Sequence, residues 1–437
     1  MPKGLRKIQF SFDAEGLTRF GGLTLFQQFC KNLGLRYYLQ HQIKWDNFIK
    51  KKYQPVDLFL THIFAIAAGI GRIQNTYSLI HNGLLPHLLG LPYLPHRKTL
   101  REFLGRFTPE TLKSLQIVHD KIRQKLFTQF GPMYSSIIDI DTTILTTYGH
   151  QEGSNLGYNP VHRGKTSYCP ILLTEGKLGL TLNFELRSGN VHPSTGVVIL
   201  LKEALNKLPQ TVANTRTRIR ADTSFFDMDI IHFLEEKNLK YVIVARMYKV
   251  IKNIISGVKC HEYQEDWSAG EFQYQPHLWK KEQRFIVIRS LVKNTDTAPT
   301  LFTMKEYAYR VLITNLDLAP EKVWQIYCSR ANQELLIREL KNSYTLAKIP
   351  TGSFLANQVY LETVLCTYDL IMAFKRLCLP EQCKNWTLST IRLNLFQIPG
   401  ELVRPGHYNQ LRLPAKFPYQ DVFRYIQRSI QRIKPLS

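Results

Sequence analysis

The 437-residue chain carries a formal net charge of +23, from 57 basic and 34 acidic residues. This length predicts about two or three domains with a sizeable core, and the charge predicts a polyanionic partner, most naturally nucleic acid. The seven cysteines include no C-x-x-C pair, which argues against a zinc site, and their odd number without a signal peptide predicts a reducing, cytoplasmic compartment. The longest apolar run, 58–70, is too short to span a bilayer and predicts a buried core helix.

The first 131 residues are predicted to be mainly helical. Residues 57–78 carry a long apolar pattern that its glycines would bend. Thr108 is a good N-cap, followed by Pro and Glu, and opens a helix that runs to about Phe130. The segment 96–106 would place basic side chains along DNA, although neither a zinc finger nor a clear helix-turn-helix motif is present. We expect a helical N-terminal DNA-binding region over 1–131.

The pattern changes after residue 131 to that of an α/β domain, predicted over 132–376. A β-branched run, 136–145, predicts a buried strand with Asp139 and Asp141 on one face. Further strands are predicted over 168–174, 178–186, 218–222 and 241–245, and helices over 195–208 and 227–237. The fold class is therefore α/β, with a mixed sheet whose acids stand at strand ends.

Two segments of this domain interrupt the α/β pattern. The loop 158–165 carries Arg163 and Lys165, which we expect to contact DNA. Alternating apolar residues between 250 and 310 predict an antiparallel β insertion. His150 and His192 also lie in loops, where a structural role is the first interpretation for a lone histidine.

An apolar helix is predicted over 354–377, and a basic C-terminal region follows over 377–437. Its last helix, 421–433, carries Arg424, Arg428 and Arg432 at helical spacing. The sequence leaves open whether this stripe contacts phosphate or is an ordinary solvated face.

Residues 320–343 contain no interrupting Gly or Pro after the first turn and predict one continuous helix. On such a helix Tyr327, Arg330, Glu334 and Lys341 share an arc of about 60°. This stripe is either a solvated face with helical ion pairs or an active-site acid whose cationic neighbours meet phosphate.

Three carboxylates are candidates for one site. Asp141 and Asp222 each end a predicted strand, and Glu334 lies on a helix that could pack against the sheet. A carboxylate in such a position costs desolvation free energy unless it is paired or bound to metal. Three of them in a basic protein fit two Mg²⁺ ions, which stabilise the attacking and leaving oxygens in displacement at phosphorus.

The spacing Tyr327-x2-Arg330-x3-Glu334-x6-Lys341 resembles the Tyr-Arg-Glu-Lys signature of DDE transposases from bacterial insertion sequences. Further motifs resemble the insertion-sequence 1380 group, and the resemblance covers most of the chain. These motifs are Asp139-Ile-Asp-Thr-Thr, Tyr148-Gly-His-Gln-Glu-Gly, Gly189-Asn-Val-His, Arg220-Ala-Asp-Thr-x-Phe-Phe-Asp, Glu339-Leu-Lys-Asn and Phe354-Leu-Ala-Asn.

This resemblance implies an RNase H-like catalytic core with a β-rich insertion between the second Asp and the Glu. It implies that Asp141, Asp222 and Glu334 hold two Mg²⁺ or Mn²⁺ ions for cleavage and strand transfer of transposon ends. Arg330 and Lys341 would contact phosphate near the scissile bond, and Tyr327 would help to position the DNA. The expected partners are double-stranded DNA with inverted repeats and a second copy of the chain, in a bacterial, nucleoid-associated setting.

Alternatives remain at the level of the sequence. Asp139 rather than Asp141 could be the first ligand; Asp141 is favoured because small hydroxyl residues follow it directly. Asp139-x-Asp141-x-Thr143 also fits haloacid-dehalogenase-type phosphatases, in which Asp139 would be the nucleophile, but that class leaves the Tyr-Arg-Glu-Lys stripe and the basic charge unexplained. The third alternative is a transposase-derived DNA-binding protein that has lost catalysis.

Overall fold

The computed structural model describes residues 10–11, 13, 16–45, 48, 53–80, 84–291, 307–403 and 409–433. The chain divides into two compact units. The first, which we call the terminal unit, consists of Met1–Ile122, Ser343–Pro350 and Leu355–Ser437; the second, the central unit, consists of Arg123–Asn342 and Thr351–Phe354. The three functional ranges expected from the sequence, 1–131, 132–376 and 377–437, remain a prediction.

The helices are numbered in chain order along the described residues. They are α1 Leu23–Asn32, α2 Leu35–Gln42, α3 Pro55–Ala68, α4 Tyr77–Ile80, α5 Leu85–Leu88, α6 Arg97–Leu104, α7 Pro109–Phe130, α8 Val197–Lys207, α9 Met228–Glu236, α10 Lys249–Ile255, α11 Pro320–Cys328, α12 Ala331–Asn342, α13 Phe354–Cys378, α14 Leu388–Ile391 and α15 Gln420–Arg432.

The strands are numbered in the same way. They are β1 Leu17–Thr18, β2 Ser136–Thr142, β3 Leu145–Thr146, β4 Asn155–Leu156, β5 Thr166–Tyr168, β6 Ile171–Glu175, β7 Leu180–Glu185, β8 Thr217–Ala221, β9 Lys240–Val244, β10 His261–Gln264, β11 Trp267–Tyr274, β12 Gln283–Leu291, β13 Tyr307–Thr314, β14 Gly400–Val403 and β15 Gln410–Arg412.

Helix α3 lies in the core of the terminal unit, and every one of its residues is buried, as its apolar run predicts. Gly69 follows the last residue of the helix as its C-cap, with a φ of 91° that favours glycine. The Arg392 guanidinium donates a 2.8 Å hydrogen bond to the carbonyl of Ala67 in the last turn. Helix α7 begins as predicted, because the Thr108 hydroxyl accepts a hydrogen bond from the backbone N–H of Thr111.

Among the described residues, no single helix is long and apolar enough to cross a bilayer. In the same part of the chain, one bent pair, α3 with Ile73–Leu79 across a 94° bend, meets the length and composition of a span.

The central unit is built on a mixed sheet with the strand order β10-β11-β12-β13-β9-β8-β2-β6-β7. Strands β2, β8 and β9 run parallel to one another, and all other neighbours are antiparallel. The predicted mixed α/β sheet is therefore confirmed. Strands β10 to β13, from the predicted insertion, extend this sheet beyond β9; residues 292–306 of that insertion lie outside the described residues.

The register of the strands decides which side chains share a face. Asp139 on β2 stands opposite Thr174 on β6 and Arg220 on β8, and Arg220 stands opposite Val242 on β9. Helix α11 covers this face, since its Val323 packs in one cluster with Val242. Helix α8 covers the opposite face, where the carbonyl of Leu200 accepts a hydrogen bond from the side chain of Asn183 on β7. Asp139 and Asp141 therefore point toward α11 and α12.

The single helix predicted over residues 320–343 is wrong. Two helices, α11 and α12, occupy this range and are separated by a turn at Ser329 and Arg330. The turn forms because the Arg330 side chain points into the sheet, where it binds the carboxylate of Asp141 and the carbonyl of Ile140. The arc of about 60°, which assumed one continuous helix over residues 320–343, therefore does not describe how these side chains are arranged.

Candidate active site

Strand β2 carries two aspartates with different surroundings. Asp139 is 1 % exposed, and its two carboxylate oxygens each accept a 2.7 Å hydrogen bond from the Arg220 guanidinium. The absence of a side chain at Gly176 leaves room for this carboxylate, since a Cβ there would stand 2.6 Å from Asp139 Oδ2. Both oxygens of Asp139 are thus occupied by a bidentate, buried ion pair.

Asp141 lies one pleat further along β2 and is 8 % exposed. Its Oδ1 accepts a 2.8 Å hydrogen bond from the N–H of Thr142, and its Oδ2 lies 2.9 Å from Arg330 Nη2. Burial raises the pKa of Asp141 to about 6, against the opposing effect of the Arg330 charge. The negative charges of Asp222 and Glu334 contribute to the raised pKa of Asp141 as well.

The other two predicted acids come from separate elements. Asp222 directly follows β8 and caps a short 3₁₀ turn, Thr223–Phe225, by accepting a 2.9 Å hydrogen bond from the N–H of Ser224. Glu334 is exposed in the first turn of α12. Asp141 and Asp222 directly follow Ile140 and Ala221, which are paired on β2 and β8. Glu334 lies four residues after Arg330, which binds Asp141, and the charges of Asp222 and Glu334 both act on Asp141. The fold thus assembles this acid cluster from β2, β8 and α12.

The remaining residues of the Tyr-Arg-Glu-Lys spacing surround Asp141. The pKa of Tyr327 is raised, first by burial and then by Asp222, Asp141 and Glu334, while Arg330 opposes this. Burial lowers the pKa of Lys341, and Asp141 opposes that shift. The turn that breaks the predicted helix therefore does not separate these side chains.

Arg330 lies differently from the sequence-based expectation of a phosphate contact. It is 5 % exposed, and its Nη2 donates a 3.0 Å hydrogen bond to the Ile140 carbonyl as well as binding Asp141. Its buried Nε has no hydrogen-bond partner within the described part of the chain. In this structure Arg330 is therefore first of all the counterion of Asp141.

The predicted loop residues are not linked to the acids by any described contact. Arg163 and Lys165 lie in the loop between β4 and β5 and are exposed. His150, in the loop between β3 and β4, is also exposed. His192 is also exposed, and its Nδ1 lies 2.9 Å from the hydroxyl of Ser194 in the same loop.

Sequence reasoning missed Arg220 as a part of this site. Its position two residues before Asp222 mirrors that of Asp139 before Asp141, and parallel pairing of β2 with β8 brings the two together. The mirrored spacing was the available signal, but it acquires meaning only once the strands are known to be neighbours.

The acid cluster fits a divalent cation by the chemistry of its donors. Hard carboxylate oxygens are the ligands that Mg²⁺ and Mn²⁺ prefer, and the mutual repulsion of the three acids is what a cation relieves. Within the described residues, no three His, Cys, Asp or Glu side chains stand ready-made around one metal position. Asp141, Asp222 and Glu334 are the residues whose chemistry would suit such an ion.

The chain matches the family model of the transposase DDE domain, group 1, over residues 1–435, and it belongs to this family. It is accordingly a DDE transposase, a metal-dependent enzyme of DNA cleavage and strand transfer. No curated protein matches the chain. A cryo-EM structure of a piggyBac transposase synaptic complex with hairpin DNA is similar at 12 % identity, covering 97 % of this chain and 88 % of that one, with a TM-score of 0.46.

We expect the rate of DNA cleavage to fall as the pH drops below about 6. The reason is that the Asp141 carboxyl, whose pKa is about 6, then takes up a proton and loses its charge. Because proton and cation compete for one carboxylate, raising the Mg²⁺ concentration should move this acid limb to lower pH. The measurement is a pH profile of single-turnover cleavage at two Mg²⁺ concentrations. An acid limb that does not respond to Mg²⁺ would contradict this assignment.

Proposed function

We propose that the chain is a transposase of the Tyr-Arg-Glu-Lys type, resembling the insertion-sequence 1380 group. It binds the inverted-repeat ends of its own element and catalyses cleavage and strand transfer in cut-and-paste transposition. The observation that carries this proposal is that paired parallel strands place Asp141 and Asp222 at the same edge of the sheet, while Arg330 attaches the start of the helix that carries Glu334 to Asp141. The Tyr, Arg and Lys of the signature surround Asp141.

The catalytic core is proposed to be RNase H-like. In support, the part of the sheet with the order β7-β6-β2-β8-β9 has antiparallel pairing on one side of β2 and parallel pairing on the other. The first acid lies on the central strand of this part and the second at the end of its parallel neighbour. Strands β10 to β13 supply the insertion before the helix that carries Glu334.

Each side chain of the site has a proposed task. Asp141, Asp222 and Glu334 would hold two Mg²⁺ or Mn²⁺ ions, which would supply Lewis-acid stabilisation of the charge that develops at phosphorus. Arg330 favours the ionised form of Asp141, because its guanidinium lies beside that carboxylate and lowers its pKa. Tyr327 and Lys341, beside the acids, would orient the DNA strand.

DNA binding is proposed to involve surfaces beyond the acid cluster. The +23 charge favours duplex DNA, and tight binding should weaken steeply as the salt concentration rises. The proposed contacts are the N-terminal region 1–131, the loop residues Arg163 and Lys165, and the basic region 377–437, where Arg424, Arg428 and Arg432 are exposed on α15. A homodimer would hold two transposon ends, and the expected location is the bacterial nucleoid.

The phosphatase alternative finds little support in the surroundings of Asp139. Its carboxylate is buried and both oxygens bind Arg220, so it is poorly placed to attack a phosphate ester. The catalytically inactive alternative requires the loss of a necessary group, but all three acids are present.

The test is incubation of the purified chain and Mg²⁺ with a duplex that contains the inverted repeats flanking its own coding region. We expect nicks at the repeat ends, followed by joining of the freed 3′ ends to a target plasmid. A duplex with a scrambled repeat is the matched control. Tight binding without cleavage would support the inactive DNA-binding protein, and hydrolysis of small phosphate esters without DNA cleavage would support the phosphatase.

A further inference from the structure

We propose that Arg220 is the positioning residue of this active site, and that the Arg220–Asp139 pair fixes the three acid-bearing elements relative to one another. The inference rests on the proposed function of Asp141, Asp222 and Glu334. It assigns a role to two buried, charged residues that have no described hydrogen bond or ion pair with Asp141, Asp222 or Glu334.

The pair first of all ties together the two strands that carry the aspartates. Arg220 and Asp139 are directly opposite each other on the parallel strands β8 and β2, and each is 2 % exposed or less. Two hydrogen bonds of 2.7 Å join them in a bidentate geometry. Because Asp141 and Asp222 each follow two residues later, this pair holds the two strand ends in fixed register.

The third nitrogen of Arg220 binds the helix that leads to the last acid. Its Nη1 donates to the Ile326 carbonyl, at 2.9 Å, and to the Ser329 hydroxyl at the end of α11. Ser329 begins the turn between α11 and α12, and Glu334 lies in the first turn of α12. The side chain of Arg220 thus links its own strand, β8, to β2 and to the junction between α11 and α12, which places Glu334.

Two neighbouring contacts hold the other end of the same junction. The Thr174 hydroxyl on β6 donates a 2.5 Å hydrogen bond to Gln333 Oε1, next to Glu334 in the chain. Arg330 binds the Ile140 carbonyl on β2. The junction is therefore attached to three adjacent strands, and Arg220 makes the attachment with the most hydrogen bonds.

Arginine is required for this role on geometric grounds. Its planar guanidinium offers five N–H donors, so it can bind a carboxylate with two of them and a carbonyl and a hydroxyl with two more. A lysine keeps the positive charge, but its single ammonium group cannot reach all three elements at once. Arg220→Lys is therefore expected to retain the charge balance and lose the positioning.

The experiment compares Arg220→Lys and Asp139→Asn with Arg284→Lys in the full-length protein. Arg284 is a matched control, because its guanidinium also binds a carboxylate, that of Glu271, and two backbone carbonyls, those of Leu316 and Leu318 just before α11. The readouts are thermal unfolding, affinity for transposon-end DNA, the single-turnover cleavage rate and backbone hydrogen exchange over residues 326–336. The cleavage rate is measured against Mg²⁺ concentration, and the Mg²⁺ midpoint is the concentration that gives half of the maximal rate.

We expect Arg220→Lys and Asp139→Asn to lower the cleavage rate about 10²-fold and to raise the Mg²⁺ midpoint, because misplaced acids bind the cation poorly. Hydrogen exchange over residues 326–336 should quicken, while affinity for DNA stays within about threefold. Arg284→Lys should keep the Mg²⁺ midpoint of the unchanged protein, even where its melting temperature falls by as much as that of Arg220→Lys.

An unchanged Mg²⁺ midpoint in Arg220→Lys, or a loss of cleavage no greater than in Arg284→Lys, would overturn the positioning role. Asp141→Asn separates this failure from failure of the proposed function. If Asp141→Asn is inactive while Arg220→Lys is fully active, only the positioning role is wrong. If Asp141→Asn itself retains cleavage, the assignment of the acids is wrong.

Discussion

Replacement of Asp141, Asp222 or Glu334 by its amide is expected to reduce DNA cleavage and strand transfer by about 10³-fold or more, equivalent to about 4 kcal/mol of transition-state stabilisation. The amide preserves the size of each side chain but removes the charge that would bind a cation. Affinity for transposon-end DNA should remain within about threefold, because most of that affinity comes from phosphate contacts elsewhere. Cleavage and joining of labelled ends, with fluorescence anisotropy for binding, measure the two effects.

The chain offers a matched control for Asp222. Asp222 and Asp227 each cap a helical turn with a side-chain oxygen, and Asn is an equally good cap in both positions. Asp222→Asn and Asp227→Asn should therefore leave local structure alike, and only Asp222→Asn should abolish cleavage. Glu339→Gln, later on the helix of Glu334, is expected to be mild.

The same experiment decides which aspartate of β2 is the ligand. Full loss of cleavage in Asp139→Asn with activity retained in Asp141→Asn would reverse the assignment made here. If cleavage is impaired in both variants, added Mg²⁺ distinguishes a ligand from a residue that positions one, because extra cation should restore cleavage where a ligand is only misplaced and should not restore it where the ligand itself is lost.

Replacement of Arg330 by alanine is expected to reduce cleavage about 10²-fold, far more than it weakens DNA binding. Arg330 is the charged partner that lowers the pKa of Asp141, so its loss should raise that pKa further above about 6. The acid limb of the pH profile should then move upward by about 1–3 pH units. Raising the pH should partly restore the activity of Arg330→Ala.

The pH profile separates two roles for Arg330. A residue that only contacts phosphate would lose activity equally at every pH, whereas a counterion of Asp141 gives the upward movement. Arg330→Lys is the second variant, because it keeps a charge beside Asp141 and avoids an unpaired buried carboxylate, a change that often costs about 3 kcal/mol of stability. Equal losses of cleavage and of non-specific DNA binding would show that Arg330 is an ordinary phosphate contact.

Local patterns in the sequence were sufficient for most elements of the fold. The cap at Thr108, the apolar run in α3 and the β-branched run of β2 each act through neighbouring residues, and the helices and strand appear where these patterns place them. The spacing of Tyr327 and Lys341 also singled out two side chains that interact with Asp141, because the turn between α11 and α12 is short.

Two features of the site were decided by the tertiary structure alone, because both depend on contacts between residues that are distant in the chain. The break between α11 and α12 depends on Arg330 binding to β2, a contact across 190 residues that no local propensity encodes. The different surroundings of Asp139 and Asp141 depend on Arg220, 81 residues away from Asp139, and on the pairing of β2 with β8. Alternation along a strand places both aspartates on one face, but only the neighbouring elements determine that Asp139 binds Arg220 and that Asp141 lies near Asp222 and Glu334.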